Sequence, residues 1–176
     1  MAYVGGKRQR LIKDNFARDI EAGLTALGWF DDDRNHQSVK VISDQLDPSI
    51  EIKPNIVGIT IEDIHPQEIE MGSYLEESTI SSFIDIFAEG NSVGQHLVGD
   101  VFDLLRGKFT SIKANPLLPI LDLGQPELPL LFNCYYENFE IQKNRSWSSS
   151  YNQHWWTIGV DIIDYYMDDT DINTDN

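Results

Sequence analysis

An α+β fold, with two helices packed on a mostly antiparallel sheet in a single domain, is predicted by three features of this sequence. Apolar residues recur at helical spacing in two stretches, 11–27 and 92–105. Alternation of apolar and polar residues, the period of a half-buried strand, marks residues 79–89 and 154–166 most clearly. The elements run in the order helix, three or four strands, helix, closing strand pair, which suits helices gathered on an antiparallel sheet.

In the first helix Ile12, Phe16, Ile20, Leu24 and Leu27 form one apolar face. Gly28 is its natural stop, because glycine tolerates the left-handed conformation that closes a helix. Trp29 and Phe30 then lead into the acidic turn Asp31, Asp32, Asp33. Residues 39–42 read as a short strand and 45–54, with Pro48 and Pro54, as a loop. Ile56, Gly58, Thr60 and Glu62 alternate against Val57, Ile59 and Ile61 as a further strand, which 68–71 can extend beyond Pro66. Within 79–89, Ser82, Ile84, Ile86 and Ala88 oppose Phe83, Asp85 and Phe87. Apolar groups on both faces indicate a central or interface strand.

Asn91 or Ser92 is expected to cap the second helix, with Val93, Leu97, Val101, Leu104 and Leu105 inward and Gly107 ending it after Arg106. Residues 115–129 hold four of the seven prolines around an apolar stretch, 117–123, which restricts it to a broken or edge strand. Strands 131–142 and 154–166 close the sheet around a polar turn. Trp156, Ile158, Val160 and Ile162 share one face of the last strand, Thr157, Asp161 and Ile163 the other. The expected organisation is a basic N-terminal arm (1–10), one domain (11–166) and a flexible acidic tail (167–176).

Asp and Glu number 29 against 13 Lys and Arg, a formal charge of −16, in a chain of 176 residues that is 41% hydrophobic. That balance disfavours a nucleic-acid-binding surface, and the apolar content disfavours a disordered acidic chain. Five basic residues, Lys7, Arg8, Arg10, Lys13 and Arg18, face only Asp14 within the first 18 positions. A basic segment leading an acidic body can dock on a neighbouring acidic subunit. No apolar run approaches the ~20 residues that span a bilayer, and MAYVGGKRQR lacks the apolar stretch of a signal peptide, so a soluble chain made in a cytoplasm is expected.

Chemistry-bearing patterns are sparse. His36, His65, His96 and His154 stand apart from one another, outside any metal-binding spacing. Cys134, alternating with Phe132 and Tyr136, reads as a small buried hydrophobe, and a single cysteine permits no intrachain disulfide. Gly90, Gly94 and Gly99 lack the spacing of a phosphate loop, and no serine stands in a G-x-S-x-G elbow. Asp169, Asp171, Asn173 and Asp175 follow calcium-loop spacing, but Thr174 occupies the glycine position and the terminal glutamate is missing. No catalytic residue, metal or cofactor is therefore expected. Trp147, Tyr151, Trp155, Trp156, Tyr165 and Tyr166 crowd the last strand pair, where they can pack in the core, anchor a protein partner or stack on a carbohydrate.

The order of elements, and above all SSFIDIFAEGNSVGQHLVGDVFDLLRG at 81–107, resembles the tail terminator proteins of long-tailed bacteriophages. In that stretch an alternating strand passes through a short polar turn into a helix that ends in a leucine-rich turn and glycine. The resemblance spans roughly residues 10–166 and is one of pattern, without an invariant catalytic signature. It implies a structural virion protein, assembled in the host cytoplasm, whose hexameric ring caps the tail tube and joins it to the head connector or stopper. DNA would pass through the lumen unbound, with no membrane partner. Lys7, Arg8, Arg10, Phe83, Phe87, Trp147, Tyr151 and Trp155 are the candidate subunit or partner contacts. Glu62, Asp63, Glu70, Asp85 and Glu89 are the candidate acidic lumen residues. Other neck or tail roles (head completion, stopper, tube) and a carbohydrate-binding module on the aromatic cluster are the alternative readings.

Overall fold

The computed structural model describes the backbone of residues 3–29, 39–42, 55–68, 75–88, 90–144 and 154–167, and the side chains of 8–29, 77–88, 90–143 and 154–165. Helix α1 (Tyr3–Ala26) buries Ile12, Phe16, Ile20 and Leu24 along one stripe, as their spacing predicts. It starts at Tyr3 and not at Leu11, so most of the stretch expected as an arm is helical. Arg8 holds that first part down by pairing with Asp164.

Both helices end in the same glycine device. In α1, Gly28 (φ 77) donates to Thr25 O and Trp29 N–H donates to Leu24 O, each at 3.0 Å. In α2 (Asn91–Leu105), Gly107 (φ 68) donates to Leu104 O at 3.1 Å and Lys108 N–H to Asp103 O at 2.9 Å. These paired bonds satisfy carbonyls that a helix end otherwise leaves open.

The start of α2 differs from expectation. Gly90 is the N-cap and, having no side chain, makes no side-chain cap bond, while the Asn91 side-chain oxygen accepts from Lys143 Nζ at 2.9 Å. The inward face carries Leu97, Val101, Leu104 and Leu105 as expected and differs at its first turn. Gly94 and Val98 are buried with Leu97, Val101, Leu104 and Leu105, whereas Val93 is half-buried. A Cβ on Gly94 would fall 2.2 Å from Trp156 Cζ3, so the missing side chain is what lets α2 lie against that indole.

Six strands form one sheet, in the order β1-β2-β3-β6-β5-β4. They are β1 (Val39–Ile42), β2 (Asn55–Glu68), β3 (Leu75–Ala88), β4 (Leu117–Leu121), β5 (Leu130–Asn144) and β6 (His154–Met167). Among the described strands β1 and β2 run parallel and every other neighbouring pair is antiparallel. Strands β3 and β6 pair along their whole length, Leu75 opposite Met167 and Ala88 opposite His154, which puts both near the centre. Register shifts fall at Ile61/Asp63, Ile120/Leu121 and Glu137/Glu140, the last beside Asn138 with its positive φ of 52.

The helices cover one face, where Ile80, Ser82, Ile84, Ile86 and Ala88 of β3 meet Trp156, Ile158, Val160 and Ile162 of β6, with Cys134 and Tyr136 of β5 beside them. Strand β4, confined to the edge as its prolines predict, is closed off by α1. Buried Asn15 donates to Leu121 O at 3.1 Å and accepts from Leu121 N–H at 3.0 Å, occupying backbone groups that would otherwise offer an edge for pairing. Trp29 Nε1 donates to Asp100 Oδ2 at 2.7 Å and ties the end of α1 to α2.

Candidate functional site

Among the described residues no helix lies over the other face of β3, β6 and β5, where the strand period places a mixed aromatic and acidic surface in which Phe87 and Ile163 are buried. Phe87 stacks on Trp155 with ring centroids 5.6 Å apart and planes 16° from parallel. One rung along, Asp85 Oδ1 accepts from Trp155 Nε1 at 2.8 Å and from Thr157 Oγ1 at 2.7 Å. Phe83 lies opposite Gly159, where an added Cβ would meet its ring at an ordinary contact distance of 3.7 Å. Asp161 then accepts from Ser81 Oγ at 3.3 Å and from Asn138 Nδ2 at 2.8 Å. Tyr135 and Tyr165 meet edge to face at 6.0 Å and are both exposed. Glu77, Glu137 and Glu140 share this face, and no lysine or arginine does among the described residues of the three strands.

The structure thus brings Phe83, Asp85, Phe87 and Trp155 into one patch, joining candidate partner contacts to a candidate lumen carboxylate. The remaining candidates are placed elsewhere. Arg8 is turned to the helix-covered side, where its fork meets Asp164, and Arg10 sits on the outer surface of α1, loosely paired with Asp14 at 3.9 Å. Glu62 falls at the β2 register shift and Asp63 opposite Ser81. The side chain of Lys7, and residues Glu70, Glu89, Trp147 and Tyr151, lie outside the described set.

A second constellation has no counterpart among the sequence candidates. On the helix side, Asp19 Oδ2 receives both the Lys113 ammonium and the Tyr136 hydroxyl, the latter at 2.9 Å. Lys113 Nζ also lies 4.7 Å from the centre of the Tyr136 ring. Asp19 and Lys113 border a cleft of about 390 Å³ walled by Ile20, Leu104, Leu105, Ile112 and Leu117. One signal for it was present in the sequence. Tyr136 alternates inward with Cys134, and a buried phenol requires an acceptor. The three polar groups satisfy one another, so the trio closes the seam between α1 and the 108–116 loop.

Burial pushes the Tyr136 hydroxyl well above its ordinary 10.0, and the Asp19 charge adds to the shift. Burial likewise pushes the Cys134 thiol above its ordinary 9.0, reinforced by Asp164 and opposed by Arg8. The Lys113 ammonium is lowered from 10.5 by burial, against the pull of Asp19. Above about pH 9 the unfolded chain releases the Cys134 proton, and from about pH 10 the Tyr136 proton, while the folded chain retains both. Stability present below those values is therefore lost as pH rises, with Lys113 acting weakly in the opposite sense below 10.5. Urea midpoints are expected to fall between about pH 8 and pH 10, and Cys134→Ala to flatten the fall. An unchanged slope in that variant would remove the thiol from the account.

Among the described residues no group of three or more His, Cys, Asp or Glu can hold a metal ion, and no helix is long and apolar enough to cross a membrane. No protein-family model matches the chain, and no curated protein matches it in sequence.

Proposed function

We propose that this chain is a structural, non-enzymatic subunit of a bacteriophage tail or neck, a tail terminator whose ring caps the tail tube and meets the head connector or stopper. The observation that carries the reading is the one-sided packing of the sheet. Among the described residues two helices cover one face, while the opposite face carries the exposed Tyr135–Tyr165 pair, five carboxylates and the Phe87–Trp155 stack, in which Phe87 is itself buried. Aromatic side chains on a flat face are characteristic anchors of protein interfaces. The succession from β3 into α2 and on to the closing β5–β6 pair supports the assignment within the tail, because it is the pattern on which the family resemblance rests. A net charge of −16 suits a ring wall along which DNA slides without adhering.

The reading is tested by light scattering and negative-stain microscopy of purified protein over a range of concentration and salt, alone and with isolated tail tubes. Rings with a central hole, or binding at tube ends, are expected. A monomer that ignores tubes and whose tryptophan emission shifts on adding glycans would replace this role with carbohydrate binding.

A further inference from the structure

The sheet ends at β4, and the edge of that strand is covered over only part of its length. Tyr136 N–H donates to Pro116 O, and Asp122 N–H to Pro129 O, each at 2.9 Å. In an antiparallel ladder those bonds turn the peptide groups of Leu118 and Ile120 toward β5 and those of Leu117, Pro119 and Leu121 outward. Proline suits the middle outward position, because an N–H there would add nothing to the ladder. At Leu121 the Asn15 side chain takes both outward groups. Further along, among the described residues, no bond reaches the Leu117 N–H or the Leu117 and Pro119 carbonyls from outside the ladder.

That uncovered stretch borders the cleft of about 390 Å³ between β4, α1 and the 108–116 loop. The volume lies at the small end of ligand sites, ~300–1,000 Å³. Ile20, Leu104 and Leu105 are its buried apolar walls, and Ile112, 38% exposed, is its apolar rim. Asp19 and Lys113 neutralise each other at its border, so the cleft favours neither sign of charge. Backbone donors and acceptors along one wall, with apolar side chains along another, match an extended peptide. Its main chain bonds to a sheet edge while alternate side chains turn inward.

We infer that this cleft takes a short, uncharged, extended segment of a partner protein, added to the edge of β4 at Leu117 and Pro119. The segment donates N–H groups to the Leu117 and Pro119 carbonyls and accepts from the Leu117 N–H. Its residue opposite Leu118 shares the face of that buried leucine and so points toward Ile20 and Leu104. Because α1 stands across the cleft from β4, a strand that enters cannot bring a sheet neighbour with it. Every described strand of this chain already has such a neighbour, so the occupant is a free end or loop of a different protein and not a strand of a second copy. The inference is independent of the ring-subunit reading, which draws on the opposite face of the sheet.

Amide chemical shifts and hydrogen exchange of the isotope-labelled full chain test the inference, alone and titrated with the blocked peptide acetyl-Ser-Val-Leu-Val-Ser-amide. The Leu117 amide is expected to exchange freely in the chain alone, then to shift saturably and become protected as peptide is added. N-methylation of both valines keeps the side chains but removes the donors, and should weaken binding about tenfold or more. Leu117→Pro removes the outward N–H as Pro119 already does two positions on, sparing the ladder, and is expected to weaken binding of the unmodified peptide. A Leu117 amide already protected in the chain alone, or no shift there on titration, would overturn the inference. Equal binding of the N-methylated peptide would make the cleft an apolar pocket and overturn strand addition. Shifts at Leu117 that grow with protein concentration in the absence of peptide would make a second copy the occupant and overturn the choice of partner.

Discussion

Arg8→Ala is expected to destabilise the domain by about 3–5 kcal/mol, because it strands a buried carboxylate. The guanidinium meets Asp164 through two parallel bonds, Nε to Oδ2 at 2.5 Å and a terminal nitrogen to Oδ1 at 2.7 Å. The side chains are 12% and 2% exposed, so water can replace neither partner. Arg8 also lies 3.7 Å from the centre of the Phe132 ring, and Cys134 Sγ points at the same carboxylate from 3.8 Å. Removing the cation leaves Asp164 with only the weak thiol donor. Arg8→Lys keeps the charge without the planar fork and should fall between. Replacing both partners, as Arg8→Met with Asp164→Leu, should recover most of the loss, because a buried pair contributes less in itself than its half-removal costs. Urea unfolding with a double-mutant cycle measures each term. A loss below about 1 kcal/mol for Arg8→Ala would mean that Asp164 finds another partner. Truncating residues 1–10 is likewise expected to lower stability, so an effect of truncation on assembly would not isolate a surface role for this segment.

That ion pair marks the boundary of what local pattern can tell. The helical spacing of Ile12 to Leu24 and the alternation of β3 and β6 report which side of an element is apolar, and the structure buries those sides. Gly28 and Gly107 were legible for the same local reason, since each supplies a positive φ at a helix end. Asp164 continues the inward series Trp156, Ile158, Val160, Ile162, so a carboxylate aimed into the core was readable. Its partner was not, because 156 positions separate the two and only the β3–β6 pairing and the lie of α1 bring them together. The same holds for Lys113 and Asp19, 94 positions apart. Val93 and Gly94 show a different limit. Pattern favours the larger apolar residue as the inward one, but α2 turns so that the glycine meets Trp156. On the face opposite the helices the aromatic residues were visible one by one. That Phe87 stacks on Trp155, and that both bracket Asp85, follows from a cross-strand register no single segment encodes.

Gly107→Ala is expected to cost about 3 kcal/mol or more, the second large effect, and it arises from two independent sources. The residue sits at φ 68, where an L side chain is strained by about 1–2 kcal/mol. A Cβ there would also fall 2.4 Å from the carbonyl carbon and amide nitrogen of Asn115, and backbone cannot swing aside as a side chain can. Relieving that collision means moving 108–116 away from α2, at a cost typical of overpacking, about 1–3 kcal/mol. The same loop seats Lys113, whose amide donates to Phe109 O at 2.6 Å and whose ammonium reaches Asp19, so the displacement also loosens the Asp19–Tyr136 contact. Gly99→Ala makes the identical chemical change in the interior of α2, where a Cβ meets nothing within 4 Å. There alanine only gains helix propensity, and a stabilisation of about 0.5–1 kcal/mol is expected. Denaturant unfolding of the two variants therefore separates backbone geometry from composition. Similar effects of one sign would show that the approach of Asn115 to Gly107 does not hold the loop.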